Sequence, residues 1–120
     1  MRAAVRVATG QNLDTIARYF QVLSDATRLQ IVEELSGGER NVSDLVAAVG
    51  GGQSRVSNHL ACLRWCGFVA ARRAGREVFY SLADPAVEQL IHTVRHHMLG
   101  DREVRLDACH AVRPARRSGC

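Results

Sequence analysis

The chain contains no lysine. All 16 of its basic residues are arginine, set against 12 acidic residues for a net charge of +4. Arginine forks suit phosphates and guanine edges, so the charge is compatible with a nucleic-acid partner. A GC-rich genome, favouring Arg, Ala, Val and Gly together, accounts for the missing lysines more simply, and the placement of the arginines carries more than their total. Long apolar runs are also lacking, which excludes a bilayer-spanning helix. The N-terminal MRAAVRVATGQN has no continuous apolar core of the kind a secretory signal needs. A cytoplasmic protein with no membrane partner is expected. In a reducing cytosol Cys62, Cys66, Cys109 and Cys120 are thiols rather than a disulfide framework. Absent too are a Cys-x-x-Cys at a strand–helix junction, a Ser-His-Asp arrangement and a phosphate loop, so nothing points to an enzyme. What is present, 47% apolar and 23% charged residues over 120 positions, is ordinary globular composition for one domain.

Hydrophobic spacing divides that domain. After an aperiodic arm over residues 1–11, Leu13, Ile16, Ala17, Phe20 and Leu23 follow helical spacing, with Asn12 as the expected cap. Ser24 or Asp25 restarts a second helix, with Leu29, Val32 and Leu35 on its stripe and Gly37-Gly38 at its end. Ser43 is expected to cap a short third helix carrying Leu45, Val46 and Val49, closed by Gly50-Gly51-Gly52. A fourth helix over 54–66 has Val56, Leu60 and Leu63 as its core stripe. The period then changes to that of strands: residues 68–72 and 77–82 flank Arg73-Ala74-Gly75-Arg76, a β-hairpin with arginines at its tip. Asp84-Pro85 opens a last helix over about 84–99, with Val87, Leu90, Ile91, Val94 and Met98 at helical spacing. So small a domain has little core left for that helix to cover, and together with helix 12–23 it suits a homodimer interface. Residues 100–120, arginine-rich, read as a tail carrying Cys109 and Cys120. The reading is mainly α with a two-stranded β-wing, a winged helix-turn-helix in the order α-α-α-α-β-β-α over residues 12–99.

One stretch, QSRVSNHLACLRWCG over residues 53–67, carries two chemistries. Its first half is polar but for Val56, the composition of a face that meets base edges and phosphates. In a helix-turn-helix this second helix enters the major groove, which makes Gln53, Ser54, Arg55, Ser57, Asn58 and His59 candidate contacts to double-stranded DNA. The hairpin beside it would lay Arg72, Arg73 and Arg76 along the backbone. Its second half holds Cys62 and Cys66, four residues apart and so on one helix face. Two thiols at that spacing can share one soft metal ion. Cys62 read blandly is a small buried hydrophobe, and Cys66 a helix-end residue with no role.

The order of elements resembles the winged helix-turn-helix repressors of the ArsR/SmtB family, and the residues resemble it more closely. Leu23-Ser24-Asp25-Ala26-Thr27-Arg28-Leu29-Gln30-Ile31 is similar to the family's LADPTRLRIL. Residues 53–60, QSRVSNHL, resemble its SQSTVSxHL recognition helix, and residues 75–82, GREVFYSL, its GRxVxYxL wing strand. The resemblance implies a homodimer that represses an operon until an inducer binds. One family site spans two copies of the last helix; Asp84 and His97 match it, but Ala86 and Gly100 stand where ligands are required. A second, with a Cys-x-Cys in an ELCVCDL-like segment, has no counterpart in residues 39–45, ERNVSDL.

The segment HLACLRWCG over 59–67 looks like the actinobacterial cadmium- and lead-sensing branch, whose HLSCLRGCG supplies two thiolates while its tail supplies a third. The implied ligands are Cys62, Cys66 and Cys109, with Cys120 and His110 as further candidates; Trp65 departs from the branch's small residue. Three thiolates favour soft, thiophilic ions, Cd(II), Pb(II), Hg(II) or As(III), without separating the four; the resemblance to that branch implies Cd(II) or Pb(II), and Zn(II) would want a fourth ligand. The expected protein is a repressor whose dimer binds operator DNA without metal and leaves it with metal. A thiol redox-sensing repressor on the same fold is the alternative, though an i, i+4 disulfide within a helix is geometrically awkward.

Overall fold

A computed structural model describes residues 10–98 of the chain. Helix α1 runs Gly10–Val22, beginning ahead of the expected cap at Asn12. Helix α2, Ala26–Ser36, starts where Asp25 Oδ1 accepts the backbone N–H groups of Thr27 (2.8 Å) and Arg28 (3.2 Å). Such a cap satisfies two of the donors a helix start leaves open. Helix α3, Val42–Val49, is capped by Asn41 and not by Ser43: the Asn41 side chain accepts from Asp44 N at 2.8 Å. Asn41 has a further task. With Arg40 it forms a two-residue strand, β1, too short to leave any alternation in the sequence.

Gly50, Gly51 and Gly52, all at positive φ, carry the chain from α3 into helix α4, Gln53–Trp65. Side chains rarely adopt that conformation, which explains three glycines in a row. The wing follows, β2 (Val69–Ala74) and β3 (Glu77–Leu82). Ala74 pairs with Glu77, so the hairpin closes in a two-residue turn and both Arg72 and Arg73 lie within β2 rather than at a wide tip. The sheet is three-stranded and antiparallel in the order β1-β3-β2, with Arg40 opposite Tyr80. Asp84 caps α5, Pro85–Thr93, through Ala86 N at 2.9 Å. A turn of π-helix, Val94–Met98, continues it in place of the single α-helix expected to 99.

The core gathers where α2, α3 and α4 meet the sheet. Val56, Leu60 and Leu63, the expected stripe of α4, are fully buried with Ile31, Val32, Leu45 and Phe68. Burying each such side chain is worth about 1.5–3 kcal/mol, so α4 is held as a rigid body. Helix α1 is held differently. Tyr19 stacks on Phe68 with ring centroids 4.3 Å apart, while Leu13, Ile16 and Phe20 stay 65%, 49% and 53% exposed. A recess of about 420 Å³ lined by Phe20, Leu23, Leu29, Leu90, Ile91 and Val94 continues that apolar face onto α5. No described helix is long and apolar enough to cross a membrane.

Candidate DNA-reading helix, wing and thiol pair

Helix α4 shows solvent its first turn. Gln53, Ser54 and Asn58 are exposed, and Arg55 and Ser57 are half-buried. Arg55 folds back on the body of the protein: its Nη2 donates to Thr27 Oγ1 at 2.8 Å, and its guanidinium lies under the glycine turn, where a Cβ on Gly51 would come within 2.6 Å of Nη1. The side chain thus pins the start of α4 to the start of α2.

His59, expected on the DNA face, is only 6% exposed. Its Nδ1 accepts from Arg28 Nε at 3.2 Å, while Arg28 Nη1 donates to Val22 O at 3.0 Å. A ring one turn beyond Arg55 on the same helix points toward the core stripe, because Val56 and Leu60 flank it there. Arg28, at 3% exposure, joins Thr27 and Glu39 as positioning residues outside the sequence-based candidates. The signal for the first two was present in the Ala26-Thr27-Arg28 segment, where a polar pair sits among core positions.

On the wing, Arg73 and Arg76 are exposed. Arg72 is exposed as well but engaged, donating from Nε (2.9 Å) and Nη2 (2.7 Å) to the two carboxylate oxygens of Glu39. It also lies over the Phe79 ring, 5.1 Å from the centroid. This fork ties β2 to the loop before β1. The hydrogen bonds from Arg72 hold the Glu39 carboxyl below the usual carboxylate range, and Glu39 raises Arg72 in turn. A depressed carboxylate contributes its stability above its unfolded value and loses it as pH falls through the folded one. The tether therefore holds at neutral pH and loosens in acid. A carbon-13 titration of the Glu39 carboxyl is expected to show a lower midpoint in the native chain than in Arg72→Ala; equal midpoints would contradict the pairing.

The far end of α4 carries the thiols. Cys62 is 4% exposed and faces the core side; Cys66, the C-cap, is half-buried. Cys66 N donates to Cys62 O at 3.0 Å, so the two residues stand one turn apart along one face. Gly67 at φ +86° then reverses the chain, with Gly67 N on Arg64 O (3.1 Å) and Phe68 N on Leu63 O (2.8 Å). That pair of bonds is the Schellman closure of a helix. It places Cys66 at the joint where α4 passes into the wing. Cys66 is a free thiol, whereas Cys62 is disulfide-bonded. Between them is Trp65, 89% exposed.

The donor set fits a thiophilic ion in kind: two sulfurs on one helix face, available together once Cys62 is reduced. Among the described residues no group of three or more His, Cys, Asp or Glu side chains could hold a metal. Cys109, His110 and Cys120 lie outside the described residues, as does the His97 side chain.

Comparison with known proteins places this geometry. Residues 25–71 match the model of the bacterial regulatory protein arsR family. The chain is 43% identical over 96 residues to a probable mercury resistance operon repressor of Streptomyces lividans, spanning 80% of this chain and 76% of that one. It is 46% identical over 69 residues to the HTH-type transcriptional regulator CmtR of Mycobacterium tuberculosis, 58% of each chain. Among solved structures, the homodimeric winged helix-turn-helix DNA-binding domain of a possible ArsR-family regulator from Mycobacterium bovis superposes with a TM-score of 0.69. The two are 31% identical, over 83% of this chain and 95% of that one. The chain belongs to the ArsR family of winged helix-turn-helix transcriptional regulators, and not to an enzyme family.

Proposed function

We propose that the chain is a cytoplasmic, metal-responsive repressor whose homodimer binds operator DNA and is released when a thiophilic ion engages Cys62, Cys66 and a third cysteine, Cys109 or Cys120. The observation that carries this reading is the position of the thiols. The half-buried thiol of Cys66 at the C-cap of α4 and the buried sulfur of Cys62 a turn earlier share a rigid helix with exposed Gln53, Ser54 and Asn58. The Streptomyces lividans relative, named for a mercury resistance operon, supports a soft ion as inducer.

The working unit would be residues 12–99, with 1–11 as an arm and 100–120 as a ligand-bearing tail. The unburied apolar face of α1 and α5 supports dimerisation there, since an exposed patch of that kind marks an association surface. Two copies of α4 then address successive major grooves. Gln53, Ser54 and Asn58 reach base edges, with Ser57 at the margin, while Arg73 and Arg76 lie on phosphates. Arg55, held by Thr27, orients the helix, and His59 supports it from the core. A bound soft ion would supply a strong thiolate cross-link between the end of α4 and the tail. Cys66 transmits constraint because it sits at the joint between helix and wing, so fixing it favours one angle between the two. Cd(II) and Pb(II) suit a three-thiolate set, as do Hg(II) and As(III).

Ultraviolet titration of the fully reduced protein with Cd(II) tests the site. A thiolate-to-metal absorption saturating at one ion per chain, and lost in Cys66→Ser, is expected; no absorption with every thiol still reactive would overturn it. One observation favours a second reading, a thiol redox sensor: Cys62 is disulfide-bonded. Release from DNA by peroxide without metal, reversed by a thiol reductant, would establish that reading instead.

A further inference from the structure

Arg55 is the one arginine in the first turn of α4, and its seat in the DNA-free chain is incompletely bonded. Nη2 donates to Thr27 Oγ1 at 2.8 Å, yet Nε is buried and has no hydrogen-bond partner among the described residues. A hydrogen bond from a charged guanidinium and a buried donor left unmade are similar in size and opposite in sign. Docked and released positions of this side chain are therefore close in free energy. The way out is open as well. Gly51 and Gly52 put no side chain past the guanidinium, and a Cβ at Gly52 would meet nothing within 4 Å. Ser54, just before Arg55, and Asn58, three residues after it, are exposed, so a released guanidinium joins them on the solvent side of the helix.

We propose that Thr27 is a latch competing with operator DNA for Arg55: on binding, the guanidinium leaves Thr27 and reads a guanine edge in the major groove. This rests on the reading of α4 as the helix that enters the groove, and adds a contact that the DNA-free chain conceals. A guanine offers two acceptors, O6 and N7, to a forked donor, whereas Thr27 offers one hydroxyl oxygen. The exchange also brings Nε out of a buried position where it has no partner. Because only the released fraction of the chain can make the guanine contact, the latch lowers apparent affinity by that fraction. Selectivity follows from the same competition. A base that cannot supply the pair of acceptors leaves Arg55 with Thr27, and the duplex is held by the remaining contacts alone.

A duplex enriched from a random-sequence pool by the full, reduced chain supplies the probe, and fluorescence anisotropy reads its affinity for each variant. Thr27→Val keeps the shape of the side chain and the Asp25 cap, which is bonded to the Thr27 backbone N–H, and removes only the hydroxyl. Affinity is expected to rise about two- to fivefold in Thr27→Val. Arg55→Ala should lower it on the order of tenfold and relax the preference at one guanine. Once Arg55 is alanine, Thr27→Val should change nothing, since the two act through one contact. A Thr27→Val protein that binds equally or more weakly would overturn the latch and leave Arg55 a positioning residue. A salt dependence reduced by about one in Arg55→Ala, with base preference intact, would put Arg55 on a phosphate and overturn the guanine contact. A pool that yields no enriched duplex would overturn the DNA-binding reading, and the latch with it. Independently of any variant, the Arg55 Nε–H resonance of the native chain is expected to move when the enriched duplex is added. A resonance that stays in place would contradict release.

Discussion

Serine in place of Cys66 is expected to leave operator affinity within about threefold of the native value and to abolish release by Cd(II). The hydroxyl keeps the size and the helix end, since the Schellman bonds at the joint come from the backbone of Arg64, Leu63, Gly67 and Phe68. It removes the soft donor, because a serine hydroxyl neither ionises near neutrality nor matches a thiophilic ion. Cys62→Ser should give the same loss of release with an added cost. Cys62 is 4% exposed, so its replacement buries a hydroxyl, at about 1–3 kcal/mol when unsatisfied. Comparing the two separates ligand from packing: a Cys66→Ser protein that is folded yet unable to bind DNA would make the pair structural. Operator binding by fluorescence anisotropy, with and without Cd(II), reads all of these outcomes.

Arg28→Ala is expected to destabilise the protein by about 2–4 kcal/mol, through partners left buried without a donor. His59 Nδ1 and Val22 O each accept from Arg28, and Arg28 itself is 3% exposed beside the buried Asp25 cap. A domain of this size loses roughly 4–8 °C of melting temperature per kcal/mol, so a fall on the order of 10–30 °C follows, measurable by circular dichroism. His59 would then lose the contact that fixes α4 against α2, and DNA binding should weaken before the fold is lost. An unchanged melting temperature would show that Arg28 is not what holds His59.

These outcomes bear on how far the residues alone could be read. The helical stripes were legible because burial follows spacing: Val56, Leu60 and Leu63 recur at helical intervals and all are fully buried. Asp84-Pro85 and Gly67 marked helix ends through local chemistry that does not depend on the rest of the fold. What could not be read depends on partners far along the chain. Asn41 beats Ser43 as a cap because β3 draws residues 40 and 41 into the sheet. His59 belongs by composition to a polar face, yet Arg28, 31 residues away, gives its ring a buried hydrogen bond. Arg72 likewise groups by sequence with Arg73 and Arg76 as a contact to the DNA backbone, but the hairpin register sets it opposite Phe79 and within reach of Glu39. The α1 stripe has helical spacing too, but Leu13, Ile16 and Phe20 remain exposed, because periodicity names an apolar face without naming what covers it.

Coupling between the two ends of α4 is the central claim, and a thermodynamic cycle tests it most directly. Operator affinity is measured with and without saturating Cd(II), and Cd(II) affinity with and without saturating operator, on the same reduced protein. The account predicts that metal and DNA weaken each other by the same factor, as linkage requires, and that the factor collapses to one in Cys66→Ser. Full operator affinity retained by the Cd(II)-loaded protein would contradict it.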